Sequence, residues 1–161
     1  IKGQSFSSDT EVRWNSIAAA AARLGCPIDE RLVVQLEGES PSPETGYVAA
    51  LRLIERGAPF TALFAFNDVS AFGAIRAFRE HGLDVPADVS VVGFDDVWGA
   101  AFHLPSLTTI RQPLRRMGEL AAETLFARIR QGNDVESCDE IQVEPELVVR
   151  ESTGPARDLS L

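Results

Sequence analysis

The sequence predicts an α/β protein built on a doubly wound parallel sheet. Two short and almost continuously apolar segments, 61–66 and 89–94, are typical of parallel strands that are covered on both faces. Segments with the apolar spacing of helices lie before, between and after them, so that helices and strands alternate along the chain. Each of the two strands ends in a polar pair, and in open parallel sheets ligands bind outside the carboxyl ends of the strands.

Composition and charge limit the partners of the chain. Its 161 residues are enough for one ordinary domain with a core. The formal net charge of −9 repels the phosphate backbone, so we do not expect this part of the protein to bind nucleic acid by itself. No apolar run reaches the length of about 20 residues that a membrane span requires, and no secretory signal is visible. These features predict a cytoplasmic protein without a membrane partner.

The two cysteines, Cys26 and Cys138, are far apart and have no metal-ligand spacing. Free thiols in a reducing cytoplasm are the favoured interpretation, with a long-range disulfide as the alternative. The sequence also has none of the short motifs that mark a hydrolase nucleophile, a zinc protease or a nucleotide-binding loop. It therefore predicts no metal, no other cofactor and no enzymatic activity.

The first helix is predicted over 10–24, where Ser8 or Asp9 can cap its start and Gly25 stops it. A strand over 32–36 follows. The second helix opens after a serine that suits the N-cap position, is followed by proline and glutamate in its first turn, and ends at a glycine.

The third helix follows the pair Asn67–Asp68, with Asp68 as its expected N-cap, and ends before Gly82. Its apolar residues cover more than one face, whereas a helix that covers a sheet needs only one stripe. The second apolar face suggests a homodimer in which two copies of the chain meet helix to helix.

Beyond Asp96 the alternation of short strands and helices ends. An irregular segment leads into an extended crossover, a long helix, a turn, edge strands and a loose tail. Their ranges are 97–106, 107–110, 113–131, 132–134, 141–149 and 152–161, respectively. We therefore divide the chain into a lobe over 1–106 with a truncated first strand, a crossover part over 107–151, and the tail.

Polar side chains at the strand ends are the candidate ligand contacts. Asp95 and Asp96 are adjacent, and adjacent strand residues point to opposite sides, so one can face the crevice while the other caps the next turn. Asn67 carries both a donor and an acceptor, which suits hydroxyl recognition, or it makes an ordinary loop contact. Arg13 can bind vicinal hydroxyls or a carboxylate in a bidentate manner, or pair with a nearby surface carboxylate. Gln112 can reach a ligand or hydrogen-bond at the entry of the long helix.

Three strings, taken in order, resemble the LacI/GalR family of transcriptional repressors. They are TALFAFND at 61–68, GLDVPADVSVVGFDD at 82–96 and LPSLTTIRQP at 104–113, and the resemblance runs from Gly3 to about Arg150. Members of that family join a DNA-binding helix-turn-helix headpiece to a two-lobed body similar to periplasmic sugar-binding proteins. This chain resembles the second half of that body, mainly its C-terminal lobe, and it does not contain the headpiece.

The resemblance implies a function and a set of site residues. The chain would bind a small effector, a sugar or a nucleoside, through Arg13, Asn67, Asp95 and Gln112. Effector binding would control allosterically how the headpiece binds operator DNA. The resemblance also implies a homodimer that uses the third helix and the region around 98–103; the interface residues are Ser70, Ala71, Ala74, Phe78 and Phe102.

Two other functions stay open at this point. A periplasmic sugar-binding protein of a transporter has the same fold, and a secretory signal upstream would favour it. An α/β enzyme that uses the strand-end carboxylates is the third class, and turnover of a ligand, abolished by Asp95→Asn, would support it.

Overall fold

The structure is a computed structural model that describes residues 1–131 and 140–158. Within these residues the helices are α1 (Ser8–Arg23), α2 (Pro43–Glu55), α3 (Asp68–Glu80) and α4 (Leu114–Gln131). The strands are β1 (Ala62–Phe64), β2 (Ser90–Asp95), β3 (Thr108–Arg111) and β4 (Glu146–Val148). The turn predicted at 132–134 lies outside the described residues, as does Cys138. None of the helices described is both long and apolar enough to pass through a membrane.

The four strands form one sheet in the order β1-β2-β3-β4. The first three strands are parallel, with Leu63 opposite Val91 and Phe94 opposite Ile110. The last strand is antiparallel to β3, because the chain returns to the sheet edge after α4. The predicted α/β fold with a mainly parallel sheet is thereby confirmed, and β4 makes the sheet a mixed one.

The strand predicted over 32–36 forms only in part. A short 3-10 turn occupies Glu30–Leu32, and the Asp29 side chain caps it by accepting the Arg31 backbone N–H at 2.8 Å. This turn takes up the first residue of the predicted strand. A single parallel bridge between Lys2 and Gln35 is what connects this segment to the start of the chain.

The helix caps correct two predictions. Asn67, and not Asp68, is the N-cap of α3, since its extended backbone precedes the first helical turn and its side chain accepts the Ser70 N–H at 2.9 Å. The N-cap position of α1 is Ser7, without a side-chain capping bond. The serine cap predicted for the second helix is confirmed, because Ser42 forms a capping box with Thr45.

The position of α3 contradicts most of the predicted dimer surface. This helix packs against both α2 and β2, which explains why its apolar residues cover more than one face. Gly73 allows α2 to come this close, since a Cβ at that position would lie 1.8 Å from the Pro43 carbonyl oxygen. Four of the proposed interface residues are therefore completely buried within one protomer: Ser70, Ala71, Ala74 and Phe78. Phe102, the fifth, is 67% exposed.

The segment after β4 was predicted to be a loose tail from Ser152 onward. In the structure, Ser152 itself lies in the core. Ser152 is fully buried, and its hydroxyl donates to the Val91 carbonyl at 2.6 Å and accepts the Thr108 N–H at 2.8 Å. Further along, Arg157 forms an ion pair with Asp88 at 2.6 Å. A serine that satisfies buried backbone groups of two neighbouring strands is a structural residue, which composition alone does not reveal.

Candidate functional site

Asp95 and Gln112 come together at the carboxyl ends of β2 and β3. Gln112 follows β3 directly, and its Nε2 donates to Oδ1 of Asp95 at 2.7 Å. Arg13 reaches the same place from α1, and its positive charge acts on the Asp95 carboxyl. The three predicted contacts are far apart in sequence, and the parallel sheet brings them to one edge, where open α/β sheets bind their ligands.

Two phenylalanine rings hold the guanidinium of Arg13. Its Cζ lies 3.8 Å from the centre of the Phe94 ring and 4.5 Å from that of Phe66. Its Nη1 also donates to the Phe66 carbonyl oxygen at 2.9 Å, and its Nη2 lies 3.5 Å from the Asp9 carboxylate. Such cation–π contacts are worth about 0.5–2 kcal/mol each, depending on desolvation. The planar donor group is thus fixed in orientation before a ligand arrives.

The sequence interpretation missed Phe66 and Phe94, although a signal for them was present. Each of the two strand ends carries the same pattern, an aromatic residue followed by two Asx residues: Phe66-Asn67-Asp68 and Phe94-Asp95-Asp96. The repetition at equivalent ends of neighbouring strands places both rings at one edge of the sheet. A search for repeated tripeptides at strand ends would have found them.

The backbone of Asp95 is strained. Its φ is 112° and that of Asp96 is 53°, both in the left-handed region that favours glycine. Such residues cost of order 1–3 kcal/mol each, and they are found where the surrounding structure enforces them, often at ligand sites. Burial raises the pKa of the Asp95 carboxyl above its ordinary value, and the Gln112 hydrogen bond and the Arg13 charge only partly oppose this. The strain and the partly desolvated carboxylate both point to a functional position.

Asp96 has different partners from Asp95: it forms ion pairs and does not cap the next turn, as the sequence had suggested for one of the two. Arg111 donates from Nε to its Oδ2 and Arg150 from Nη2 to its Oδ1, both at 2.6 Å. Burial alone would raise the pKa of this carboxyl. The two guanidinium groups outweigh that effect, so the pKa of Asp96 is lowered.

Asp68 is a buried anchor below the site. Its Oδ1 accepts the Thr109 hydroxyl at 2.5 Å and its Oδ2 accepts the Val97 N–H at 2.8 Å, so it ties α3 to β3 and to the turn after β2. Gly93 makes room for it, since a Cβ there would lie 2.2 Å from Oδ1. Desolvation raises the pKa of Asp68, and the charges of Asp95 and Asp96 add to this, against the two hydrogen bonds.

Asn67, the fourth predicted contact, lies beside Phe66 and is 6% exposed. Its Oδ1 is engaged in capping α3. The structure therefore gives Asn67 a structural role, and a contact to a ligand would be additional to it.

Two separate concave regions, which share no lining residue, contain the members of this group. A shallow concavity of about 560 Å³ contains Asp95 and Gln112 on its wall, together with the start of α4. A mainly apolar cavity of about 410 Å³ lies under α1 and includes Arg13, Trp14 and Phe66. We assign the candidate site to the polar group around Asp95, where Gln112 donates to the carboxylate and the charge of Arg13 acts on it, because ligand sites have a few convergent polar groups. Among the described residues, no group of three or more His, Cys, Asp or Glu side chains is arranged to hold a metal.

Comparisons with known proteins agree with this geometry. Residues 3–153 match the family of periplasmic binding protein-like domains. The transcriptional regulator DegA of Bacillus subtilis is 40% identical over 155 residues, which are 96% of this chain and 44% of that protein. The transcriptional repressor PurR of Yersinia pestis is 39% identical over 160 residues, 98% of this chain and 46% of that protein. The chain thus spans about half the length of these relatives.

Among solved structures, a LacI-family transcriptional regulator from Enterococcus faecium with bound ribose is 27% identical, with a TM-score of 0.78. The alignment covers 96% of this chain and 56% of that one. These proteins are transcriptional regulators and not enzymes, which confirms that prediction and favours the regulator over the transport protein. The chain belongs to the LacI/GalR family and matches its periplasmic-binding-protein-like effector-binding domain.

Proposed function

We propose that this chain senses a small, hydroxyl-rich metabolite such as a sugar or a nucleoside on behalf of a DNA-binding transcription regulator. The observation that carries the proposal is the convergence of Arg13, Asp95 and Gln112 at one sheet edge. A carboxylate accepts hydroxyl hydrogens, and a guanidinium donates to two neighbouring oxygens at once. A molecule with vicinal hydroxyl groups uses both. The ribose bound to the Enterococcus faecium regulator is of this chemical class.

The regulator would act by a shift between two conformations. The site takes residues from α1, from β2 and from the connection between β3 and α4, and an effector that contacts these elements differently in two states changes the balance between them. A coupling free energy of roughly 1–3 kcal/mol is typical of such linkage. Operator DNA would be bound in the cytoplasm by a helix-turn-helix headpiece outside this chain, in keeping with the net charge of −9 of the chain itself.

The regulator would be a homodimer that meets at an aromatic patch on the surface. Trp98, Phe102 and Leu104 are 81%, 67% and 73% exposed, and the rings of Trp98 and Phe102 lie 4.5 Å apart. Exposed aromatic groups of this kind are enriched at protein interfaces. The patch replaces the buried face of α3 as the proposed dimer surface.

A ligand screen on the intact protein tests the proposed function. D-ribose, cellobiose, D-glucose and adenosine would be tested by thermal shift, and each hit by calorimetry. We expect at least one to bind and Arg13→Gln to weaken it by roughly 10- to 100-fold, the value of a hydrogen bond to a charged group. Arg52→Gln is the matched control, because Arg52 is an exposed arginine paired with Glu37. A hit that binds equally to the wild type and to both Arg13→Gln and Asp95→Asn would refute the site.

A further inference from the structure

We propose that Asp96 is a positioning residue for Asp95. Through its ion pairs with Arg111 and Arg150, Asp96 holds the neighbouring Asp95 in the conformation in which the Asp95 carboxylate accepts the hydrogen bond from Gln112. The proposal rests on the proposed function only in taking Asp95 as an effector contact. The positioning itself is a property of the protein without ligand.

The two ion pairs of Asp96 join three separate segments of the chain. Arg111 is the last residue of β3, and Arg150 lies beyond β4, so the two guanidinium groups approach from different connections. Both contacts are 2.6 Å long, and the Asp96 side chain is only 10% exposed. The guanidinium of Arg150 is also held through its second terminal nitrogen, because Nη1 donates to the Leu107 carbonyl at 2.7 Å. Arg150 is only 15% exposed, so water has little access to its pair with Asp96, and this pair constrains the carboxylate more than a surface ion pair does; Arg111 is 46% exposed and contributes less.

The turn at 95–97 needs such a constraint. Its first two residues have φ values of 112° and 53° without being glycine. Backbone of this kind persists only where contacts enforce it. On the far side of the turn, Asp68 accepts the Val97 N–H at 2.8 Å. On the near side, the two ion pairs of Asp96 fix its carboxylate, so the turn is held by side-chain contacts at both residues that follow Asp95.

The ion pair between Asp96 and Arg111 also affects the position of Gln112, the residue that follows Arg111. Asp95 and Arg111 are register partners in the β2–β3 pair. The Asp96–Arg111 ion pair and the Asp95–Gln112 hydrogen bond are therefore neighbouring cross-links between the same two strand ends. Releasing the first lets both partners of the second move.

The test follows the side-chain amide signal of Gln112 by 15N NMR in the intact protein, assigned by its loss in Gln112→Met. Asp95→Ala defines the signal of the broken hydrogen bond. We expect Asp96→Ala to move the signal to that position, and Arg150→Gln and Arg111→Gln to move it part of the way. Arg150→Lys keeps a charged donor and should retain most of the wild-type shift.

Two controls separate positioning from general loss of stability. Asp88→Asn removes an ion pair of the same length, that with Arg157, away from the turn. Leu53→Val lowers stability through the core, since Leu53 is 1% exposed. Both should leave the Gln112 signal unchanged. A folded Asp96→Ala protein with the wild-type signal overturns the proposal; if that variant does not fold, unchanged signals in both Arg111→Gln and Arg150→Gln overturn it.

The outcome is independent of the ligand screen. If the Gln112 signal follows Asp96 but D-ribose and the other compounds do not bind, the positioning stands and the proposed effector class fails. If D-ribose binds through Asp95 while the signal ignores Asp96, the positioning alone fails.

Discussion

Gln112 donates a 2.7 Å hydrogen bond to Asp95 and so links the end of β2 to the residue after β3. Beside this hydrogen bond, an ion pair between Asp96 and Arg111 connects the same two strand ends. One aspartate thus faces the candidate site while its neighbour holds the framework. This division of roles leads to opposite expectations for substitutions at the two positions.

Replacing Asp95 with glycine should stabilise the protein. Glycine adopts a φ of 112° without steric cost and removes a carboxyl whose charged form burial disfavours. We expect the free energy of unfolding to rise by about 1 kcal/mol, the lower end of the strain range. Urea unfolding at neutral pH measures it. The same variant should no longer bind the effector, and a loss of stability would show that the backbone is not strained.

Replacing Asp96 with asparagine should destabilise the protein in a pH-dependent way. The pKa of Asp96 is lowered in the folded state, so its contribution is complete above the unfolded pKa of about 3.9 and is lost as the pH falls through the folded value. The difference in unfolding free energy between wild type and Asp96→Asn should therefore be largest at pH 7 and shrink towards pH 3. Leu53→Val is the control with a constant difference. A difference that grows on acidification would contradict the ion pairs.

Two glycine-to-alanine substitutions should have opposite signs. At Gly73 the new Cβ would lie 1.8 Å from the Pro43 carbonyl oxygen, so α2 and α3 must separate. We expect a loss of about 3 kcal/mol or more, at or above the usual cost of overpacking. Gly118 lies in α4 with no atom near its Cβ position, so alanine there should gain up to about 1 kcal/mol from helix propensity. Thermal unfolding of both variants measures the contrast, and equal effects would argue against the close helix packing.

The two rings around Arg13 should matter for affinity. Phe94→Leu and Phe66→Leu each remove one cation–π contact, at 3.8 and 4.5 Å. We expect each to weaken the effector found by the screen by about 1 kcal/mol, roughly fivefold. Calorimetric titration measures this. Phe60→Leu changes a phenylalanine that packs on Phe78 in the core, and it should lower stability but not affinity.

The proposed dimer surface can be tested by comparing substitutions at an exposed and at a buried phenylalanine. Phe102→Asp places a charge in the exposed patch and should convert a dimer to monomers, while the fold of the protomer is unchanged. Phe78→Ala instead leaves a cavity in the protomer and should cost about 3–5 kcal/mol of stability. Sedimentation velocity and thermal unfolding distinguish the two effects. A Phe102→Asp protein that remains dimeric would place the interface elsewhere.

The sequence by itself determined the alternation of helices and strands, since apolar runs, serine and asparagine caps and terminal glycines act within a few residues of one another. It also proposed Asp95 as a ligand contact, because polar residues at the carboxyl ends of parallel strands face one sheet edge, whereas Arg13 and Gln112 were proposed mainly through the family resemblance, and all three remain predictions. What it assigned wrongly were roles that depend on a neighbouring element. Asp68 could not be recognised as a buried anchor, because its partners Thr109 and Val97 are distant in sequence.

Tertiary packing decided which apolar faces are inside. The second apolar face of α3 packs against α2 within the protomer, since two small residues let the helices approach closely, Gly46 and Gly73. Likewise Ser152 enters the core because two strands leave backbone groups there to be satisfied. Periodicity shows that a face is apolar; only the three-dimensional arrangement shows what covers it.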